Sequence, residues 1–590
     1  MRLFSLIIVT ISFVSFSLPA AEKPNIILIF TDDHGWPDIG AAGIYDDLKT
    51  PHLDQLAADG VRCTNGYVTA PQCVPSRGGL LAGRDQSRFG LETNGSSLDG
   101  FNAEETIPER LQTAGYQTGQ IGKWHLGPSQ EIADHGFDEV YARNSARPAF
   151  ATYGLDGSDR EPGMDATKMY HLDACSAAAT AFIDRHGDNP FFLYLAYRAP
   201  HVPLDAPDKY LKRFPGEMPE RRRQALAMIS AMDDGVGAIR KKLEEKNLTE
   251  KTLIFFIGDN GAPLKIHKID APGGGPGWDG SLNKPMNGEK GMLSEGGIRV
   301  PFVAAWPGRI PGGQVYDEPV ISLDVAATAA ALSGLGEVEI FDGVNLVPYF
   351  SGEKAGSPHE RLFWRWSTQS AIREGKWKLL RGGSREYLFD LEADPGEKTN
   401  RIAEHPAIAG RLRNHLKGWT DELNPPGFLG DQLTEVWDRY FDFYFDGKPV
   451  DRAAAKSKAE AVQGWLIRNG QLRQRNGALH LIDSNGKQRF APFIANSRVK
   501  AKGPFSIVVE PIEMPRREVS VQWREDGQGD FPGGQVVALT GEGGVLRGEI
   551  SSKEKIVHLR VRFADGTNVA LRSIRLERKS KVLQAWNFTD

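Results

Sequence analysis

Three short stretches of the chain are apolar at almost every position instead of alternating. They are Ile26-Ile27-Leu28-Ile29-Phe30, Phe191-Phe192-Leu193-Tyr194-Leu195-Ala196 and Leu253-Ile254-Phe255-Phe256-Ile257. Continuous runs of this length predict strands buried on both faces. A further short strand is predicted over 116–121. Helical periodicity fills the intervals, around 51–59, 107–114, 173–186 and 222–245. Strands alternating with helices predict an α/β fold, a mainly parallel sheet sandwiched by helices.

Ligands of such sheets bind beyond the carboxyl ends of the strands. Here the four strands end in Asp32-Asp33, in Lys123-Trp124-His125, in Pro200-His201 and in Asp259-Asn260-Gly261. Singly, each group fits a helix cap or a turn. Four of them at one edge of one sheet define a single site.

Beyond the sheet, the Gly- and Pro-rich segment 261–291 is too long for a simple connection and frames the pocket, ending at Glu289-Lys290-Gly291. Residues 21–334 form the catalytic domain of this reading, and 335–446 a smaller α+β subdomain. The markers of the subdomain are alternation over 369–380, the turn Ala393-Asp394-Pro395-Gly396 and a helix near 406–423. A polar, Ala- and Lys-rich stretch, 447–464, reads as a linker. From 465 to 590 short alternating strands with glycine turns predict an accessory antiparallel β-sandwich.

The first twenty residues read as a signal peptide: Arg2, an apolar run over 3–16, and Leu18-Pro19-Ala20 before the cut. That run is short for a membrane-spanning helix. The mature chain is therefore expected to be exported, periplasmic or secreted, without stable membrane insertion.

Charge divides unevenly. The whole chain carries −5, yet residues 461–590 hold 21 Lys and Arg against 13 Asp and Glu. That surplus fits either a polyanionic partner or an ordinary solvated surface; no nucleic-acid partner is expected. Three cysteines cannot make a disulfide framework. Cys63 and Cys175 lie in apolar surroundings and read as small buried hydrophobes, although a bridge between them stays open. Cys73, in Pro71-Gln72-Cys73-Val74-Pro75-Ser76-Arg77, differs. A helix over 77–82 would place it at a positive helix end beside a guanidinium.

Asp32, Asp33, Asp259 and Asn260 offer only oxygen, a set that favours Ca²⁺ or Mg²⁺ over zinc or copper and, in irregular geometry, Ca²⁺. Around it stand Arg77, Lys123, His125, His201 and Lys290, too much positive charge for a neutral substrate and suited to sulfate or phosphate. Cys73 as a thiolate nucleophile is conceivable, its pKa lowered by Arg77 and the helix end. A soft thiolate beside a hard cation is nevertheless a poor match, and an oxygen species at position 73 fits better.

The chain resembles the sulfatase family, whose signature Cys-x-Pro-Ser-Arg-x-x-Leu-x-x-Gly-Arg is matched from Cys73 to Arg84. The resemblance covers roughly 24–430 and extends to Thr31-Asp32-Asp33-His34-Gly35-Trp36, Gly122-Lys123-Trp124-His125-Leu126-Gly127, Ala199-Pro200-His201, Asp259-Asn260-Gly261, and Lys290 ahead of Glu295-Gly296-Gly297. Gly258 departs from the serine usual there.

The resemblance implies an alkaline-phosphatase-like fold and a sulfuric ester hydrolase. A maturation enzyme would convert Cys73 to formylglycine, whose hydrate, held on one Ca²⁺, attacks sulfur. Asp32, Asp33, Asp259, Asn260 and the oxygen at position 73 would be the metal ligands. Arg77 would stabilise the alkoxide, Lys123 and Lys290 hold sulfate, His201 protonate the leaving alcohol, and His125 deprotonate the remaining hydroxyl. Two rivals stand beside this: a phosphodiesterase or phosphonate monoester hydrolase of the same superfamily, and a non-catalytic binder of sulfated glycans. A sulfated carbohydrate is the expected substrate, with Arg143, Arg147, Trp278, Trp364 and Trp366 as sugar contacts that fit packing equally well.

Overall fold

A computed structural model describes residues 23–145, 147–264, 280–382, 385–423, 438, 440–448, 462–468, 470–483, 493–515, 518–526, 535–563 and 569–589. The signal peptide, Trp278 and most of the 447–464 linker lie outside these residues. The chain divides into two compact units, at Val450 and Asp451.

The first unit is built on a ten-stranded sheet. Its centre comprises β1 (Asn25–Asp32), β2 (Gln117–Gly122), β3 (Phe191–Pro200), β4 (Thr252–Gly258) and β5 (Phe302–Ala305), in the spatial order β5-β4-β1-β3-β2. β1 lies parallel between β3 and β4, β2 is parallel to β3, and β5 runs antiparallel to β4. The unbroken apolar runs follow from cores on both faces. Ile26, Leu28 and Phe30 of β1 enter one core, Ile27 and Ile29 the other. The first core takes Val74, Leu80 and Leu81 from helix α1 (Cys73–Ala82). The second takes Cys175, Ala178 and Phe182 from α2 (His171–His186), and Leu226, Ile229 and Met232 from α3 (Glu220–Glu245).

Helices α1, α2 and α3 start two to four residues earlier than periodicity indicates. α1 begins at Cys73 and not at Arg77, after an extended Gln72 (φ −144°, ψ 150°). Pro75 then occupies the first turn, where its missing N–H costs nothing because no intrahelical acceptor precedes it.

The smaller subdomain is a four-stranded antiparallel sheet: β6 (Arg361–Trp366), β7 (Gln369–Glu374), β8 (Trp377–Gly382) and β9 (Arg385–Asp390). Ile372, Leu379 and Leu388 on one face meet Ala409, Leu412 and Leu416 of α4 (Pro406–Asp421). Trp364, Leu380 and Phe389 on the other join the first core.

The second unit is antiparallel throughout. Its main strands are β10 (Phe493–Asn496), β11 (Phe505–Pro511), β12 (Val519–Glu525), β13 (Val536–Glu542), β14 (Val545–Ile550), β15 (Lys555–Phe563) and β16 (Val569–Arg578). β10, β15, β12 and β13 are consecutive neighbours, and β13 passes on to β14, β11 and β16. Alternate residues such as Ile494, Val521 and Val561 pack with Ile507, Val509 and Ile574 in one core.

Candidate active site

The four strand ends meet as the pattern of the sequence requires. Asp32 is the last residue of β1, Asp33 and His125 follow β1 and β2, His201 follows β3, and Asp259 and Asn260 follow β4. Asp33 (φ 58°) and His125 (φ 65°) both hold left-handed backbone, an unfavourable conformation for residues other than glycine and common where a site dictates side-chain direction.

Cys73 sits among them, fully buried. Its Sγ lies 3.4 Å from Asp32 Oδ1, 4.0 Å from Asp33 Oδ1 and 3.2 Å from Lys290 Nζ. Lys123 Nζ donates to Asp32 Oδ2 at 2.6 Å, and Lys290 Nζ to Asp33 Oδ1. Arg77, also fully buried, donates from Nη2 to Asp259 Oδ2 (2.8 Å) and from Nη1 to the Tyr194 hydroxyl (3.1 Å), with its guanidinium over the Phe30 ring. His201 Nε2 is 3.5 Å from Asp33 Oδ2. His125 feels the charges of Lys123, Arg77, Asp32 and Lys290 but hydrogen-bonds to none of them.

These contacts set the charge states. Burial pushes the Cys73 thiol up to about 12, Asp259 adding to the effect and Lys123 and Lys290 only softening it. The unmodified thiol is thus not a ready nucleophile, contrary to the expectation of a lowered pKa. Burial and the carboxylate of Asp259 outweigh the nearby cations. Burial would also raise Asp32, but His201, Lys123 and Arg77 outweigh it and hold that carboxyl well below its ordinary range. Asp259 goes the other way, to about 7, through burial and the charge of Asp32. Burial lowers His201 to about 4 against the pull of Asp32 and Asp33. Crowding by protein, with Lys123 and Arg77, lowers His125 to about 3, an effect that water at its exposed ring offsets in part.

The donor set fits a hard cation. Asp33 Oδ2 and Asn260 Oδ1 are buried oxygens without a hydrogen-bond partner, although Asn260 Nδ2 is satisfied by Asp33 Oδ1 (2.7 Å) and Gly261 O (2.9 Å). An unpaired buried oxygen is costly, and two in one cluster suit a metal ion. Ligand atoms of Asp32, Asp33, Cys73 and His201 lie within 4.8 Å of one another.

Several residues that shape the site carry no sequence signal. Tyr194 is an interior residue of an apolar strand. Asn94, far from any motif, accepts from the Val74 N–H (3.0 Å) and so satisfies a free donor at the start of α1. His34, by contrast, lies within the Thr31–Trp36 motif, and it braces the turn after β1 between Thr31 Oγ1 (3.0 Å) and Asp38 O (2.7 Å).

Three of the sugar-contact candidates are structural instead. Trp364 and Trp366 are fully buried, with Trp364 Nε1 donating to Val68 O. Arg143 donates to the Met169 carbonyl at 2.9 Å. Cys63 and Cys175 are buried and free, not bridged.

A buried cysteine heading a helix at the mouth of a parallel sheet, ringed by carboxylates and lysines, defines a hydrolase site of alkaline-phosphatase-like architecture. The family model Sulfatase matches residues 24–335, and N-sulphoglucosamine sulphohydrolase, C-terminal matches 288–422. Human N-acetylgalactosamine-6-sulfatase is 31% identical over 451 residues, 68% of this chain and 79% of its own length. Bovine arylsulfatase A is 33% identical over 462 residues, 68% of this chain and 87% of its own. Among solved structures, Ps i-CgsB in complex with k-i-k-neocarrahexaose superposes with a TM-score of 0.61 at 31% identity, covering 71% of this chain and 97% of that one. The chain belongs to the sulfatase family, and it is a sulfuric ester hydrolase.

Proposed function

We propose that the enzyme removes sulfate from a sulfated carbohydrate, with Cys73 matured to formylglycine by a separate maturation enzyme and one Ca²⁺ bound beside it. The observation that carries this reading is the placement of Cys73. Its Sγ stands against Lys290 and the carboxylates of Asp32 and Asp33, where burial keeps an unmodified thiol protonated. The sugar sulfate in the name of the N-acetylgalactosamine-6-sulfatases, and the oligosaccharide bound to Ps i-CgsB, support the carbohydrate substrate.

Asp32, Asp33, Asp259 and Asn260 would hold the ion. Matured and loaded, the site gains an aldehyde hydrate in place of the thiol and a fixed divalent charge. Three carboxylates are matched by three permanent cations, Arg77, Lys123 and Lys290. With a divalent ion held by Asp32, Asp33, Asp259 and Asn260 the pocket would be net positive, and Lys123 and Lys290 would be free to hold sulfate oxygens.

Arg77, gripped by Asp259 and Tyr194, keeps a fixed positive charge beneath position 73. His201 would protonate the departing alcohol from its imidazolium form, since Nδ1 faces the Val202 carbonyl at 2.6 Å, and an anionic sulfate ester beside the ring would favour that form against burial. His125 stays neutral and accepts a proton at a ring nitrogen. The export reading of the N-terminus belongs to the same proposal.

Release of sulfate from 4-nitrophenyl sulfate, compared with phosphate from 4-nitrophenyl phosphate, tests the reaction class. Faster phosphate-ester turnover would return the chain to the phosphodiesterase and phosphonate hydrolase reading. Mass spectrometry of the Cys73 peptide tests the nucleophile: an unmodified thiol in fully active enzyme would sink the proposal.

A further inference from the structure

Among the strands that end at the site, β3 breaks step just before its functional residue. Phe30 of β1 stands opposite Ala196 and Asp32 opposite Pro200, so the single residue Thr31 faces three residues of β3. A bulge of this kind re-aims a side chain, and bulges gather beside active sites. Two of the three residues, Tyr197 and Ala199, pack into the second core. The one between them is Arg198, only 5% exposed.

A buried guanidinium has to find acceptors. Arg198 finds them in the loop that carries His201. It donates from Nη2 to Val202 O and from Nη1 to Pro203 O (3.4 Å), while the His201 N–H donates back to Arg198 O (2.9 Å). Farther along the loop, the Ala206 N–H donates to Gln224 Oε1 of α3 (3.1 Å). Burial works against the charge of Arg198, and Asp32 and Asp205 offset part of that cost.

The Val202 carbonyl joins the arginine to the histidine. His201 Nδ1 lies 2.6 Å from the same oxygen. A carbonyl can only accept, so Nδ1 carries a proton, and its two lone pairs serve both donors. The bond at Nδ1 fixes the ring with Nε2 toward the site, 3.5 Å from Asp33 Oδ2. Freed from Arg198, the carbonyl could turn toward water, and the half-buried ring would turn with it.

We propose that Arg198 is a positioning residue for His201: by fixing the Val202 carbonyl it aims His201 Nε2 at the oxygen of the departing alcohol. This role rests on the general-acid reading of His201 above. The grip of Arg198 on the loop does not.

Proton donation matters most where the leaving alcohol is a weak acid, so phenol needs it far more than 4-nitrophenol does. The test compares kcat/KM of the matured full-length enzyme for phenyl sulfate and 4-nitrophenyl sulfate. Arg198→Met should lower the value for phenyl sulfate about 10 to 10² times more than that for 4-nitrophenyl sulfate. Arg198→Lys keeps the charge and loses the two-pronged grip. It should show the same selective loss in smaller degree, and it supplies the comparison if the methionine variant does not fold. In a His201→Ala background, Arg198→Met should cost less than about threefold more on phenyl sulfate, since no acid is left to aim. Equal loss on both esters, or a full Arg198 effect in the His201→Ala background, would overturn the proposal. Equal loss of both esters in His201→Ala itself would remove the general-acid reading, and this role with it.

Discussion

Single residues in this molecule are governed by how burial is compensated. Asp32 and Asp33 are ionised because lysines touch them, and a bound cation would take over that work. Removing divalent metal should therefore abolish most turnover, with Ca²⁺ restoring it better than Zn²⁺; sulfate release after chelation and add-back measures this, and the reverse order contradicts the oxygen-only ligand set. Cys73→Ala should lower turnover by at least about 10³-fold with the melting temperature unchanged, since the position contributes chemistry and little volume.

Asp85 shows the uncompensated case. It is buried, accepts from the Ser87 N–H at 2.9 Å, and has Asp342 as a neighbour. Burial raises its carboxyl to about 7, with Asp342 adding and the Ser87 N–H opposing. Between the unfolded value, about 4, and 7 the folded chain keeps a proton that the unfolded chain has lost, so this residue makes stability fall as pH rises. Asp85→Asn should raise the melting temperature relative to wild type at pH 8 and leave it unchanged near pH 4, as thermal unfolding at the two pH values would show.

At the scale of elements, the loop that carries Lys290 is held from outside the sheet. The Lys290 N–H donates to Ala262 O and the Gly291 N–H to Pro71 O, tying the loop to the end of β4 and to the approach to Cys73. Gln369 of β7 accepts from the Leu293 N–H (2.9 Å) and donates to Gly291 O (3.0 Å). Behind it, fully buried Lys378 of β8 bridges Glu295 (2.8 Å) and Glu397 (2.9 Å). Lys378→Met would leave buried Glu397 without its cation, while Glu295 keeps Arg299 and the Tyr67 hydroxyl, and should cost about 3–5 kcal/mol. Adding Glu397→Gln should recover part of the loss, a coupling that denaturant unfolding of the single and double variants would reveal.

This also marks where sequence reading stops. The strand ends and their ligands were legible because continuous apolar runs announce central strands, and polar residues just beyond them can only meet at one edge. Tyr194, Asn94, Gln369 and Lys378 were not. Periodicity tells which face a residue occupies, not which distant side chain stands opposite, and these four act across separations of 20 to 117 residues. The start of α1 was missed for a local reason. A residue before proline favours extended backbone, so Val74-Pro75 reads as lying ahead of the helix, yet both fall within its first turn.

At the scale of the whole molecule, the chain folds as two compact units, the second carrying the basic surplus of residues 461–590. The burial of Cys73 has its own consequence, one of timing. Every residue of α1 is buried, and the sulfur has no exposed surface. An enzyme that rewrites this side chain would, on the proposed reading, have to reach it while the segment is still extended, so maturation would compete with folding and a chain that folded first would be locked out. On the proposed reading, purified unmodified protein should stay inactive when incubated with the maturation enzyme in its native state and gain activity only if that enzyme is present during refolding from denaturant. The specific activity of a preparation would then record the order of two events in the life of each chain, and slowing the folding of the first unit would raise the yield of working enzyme.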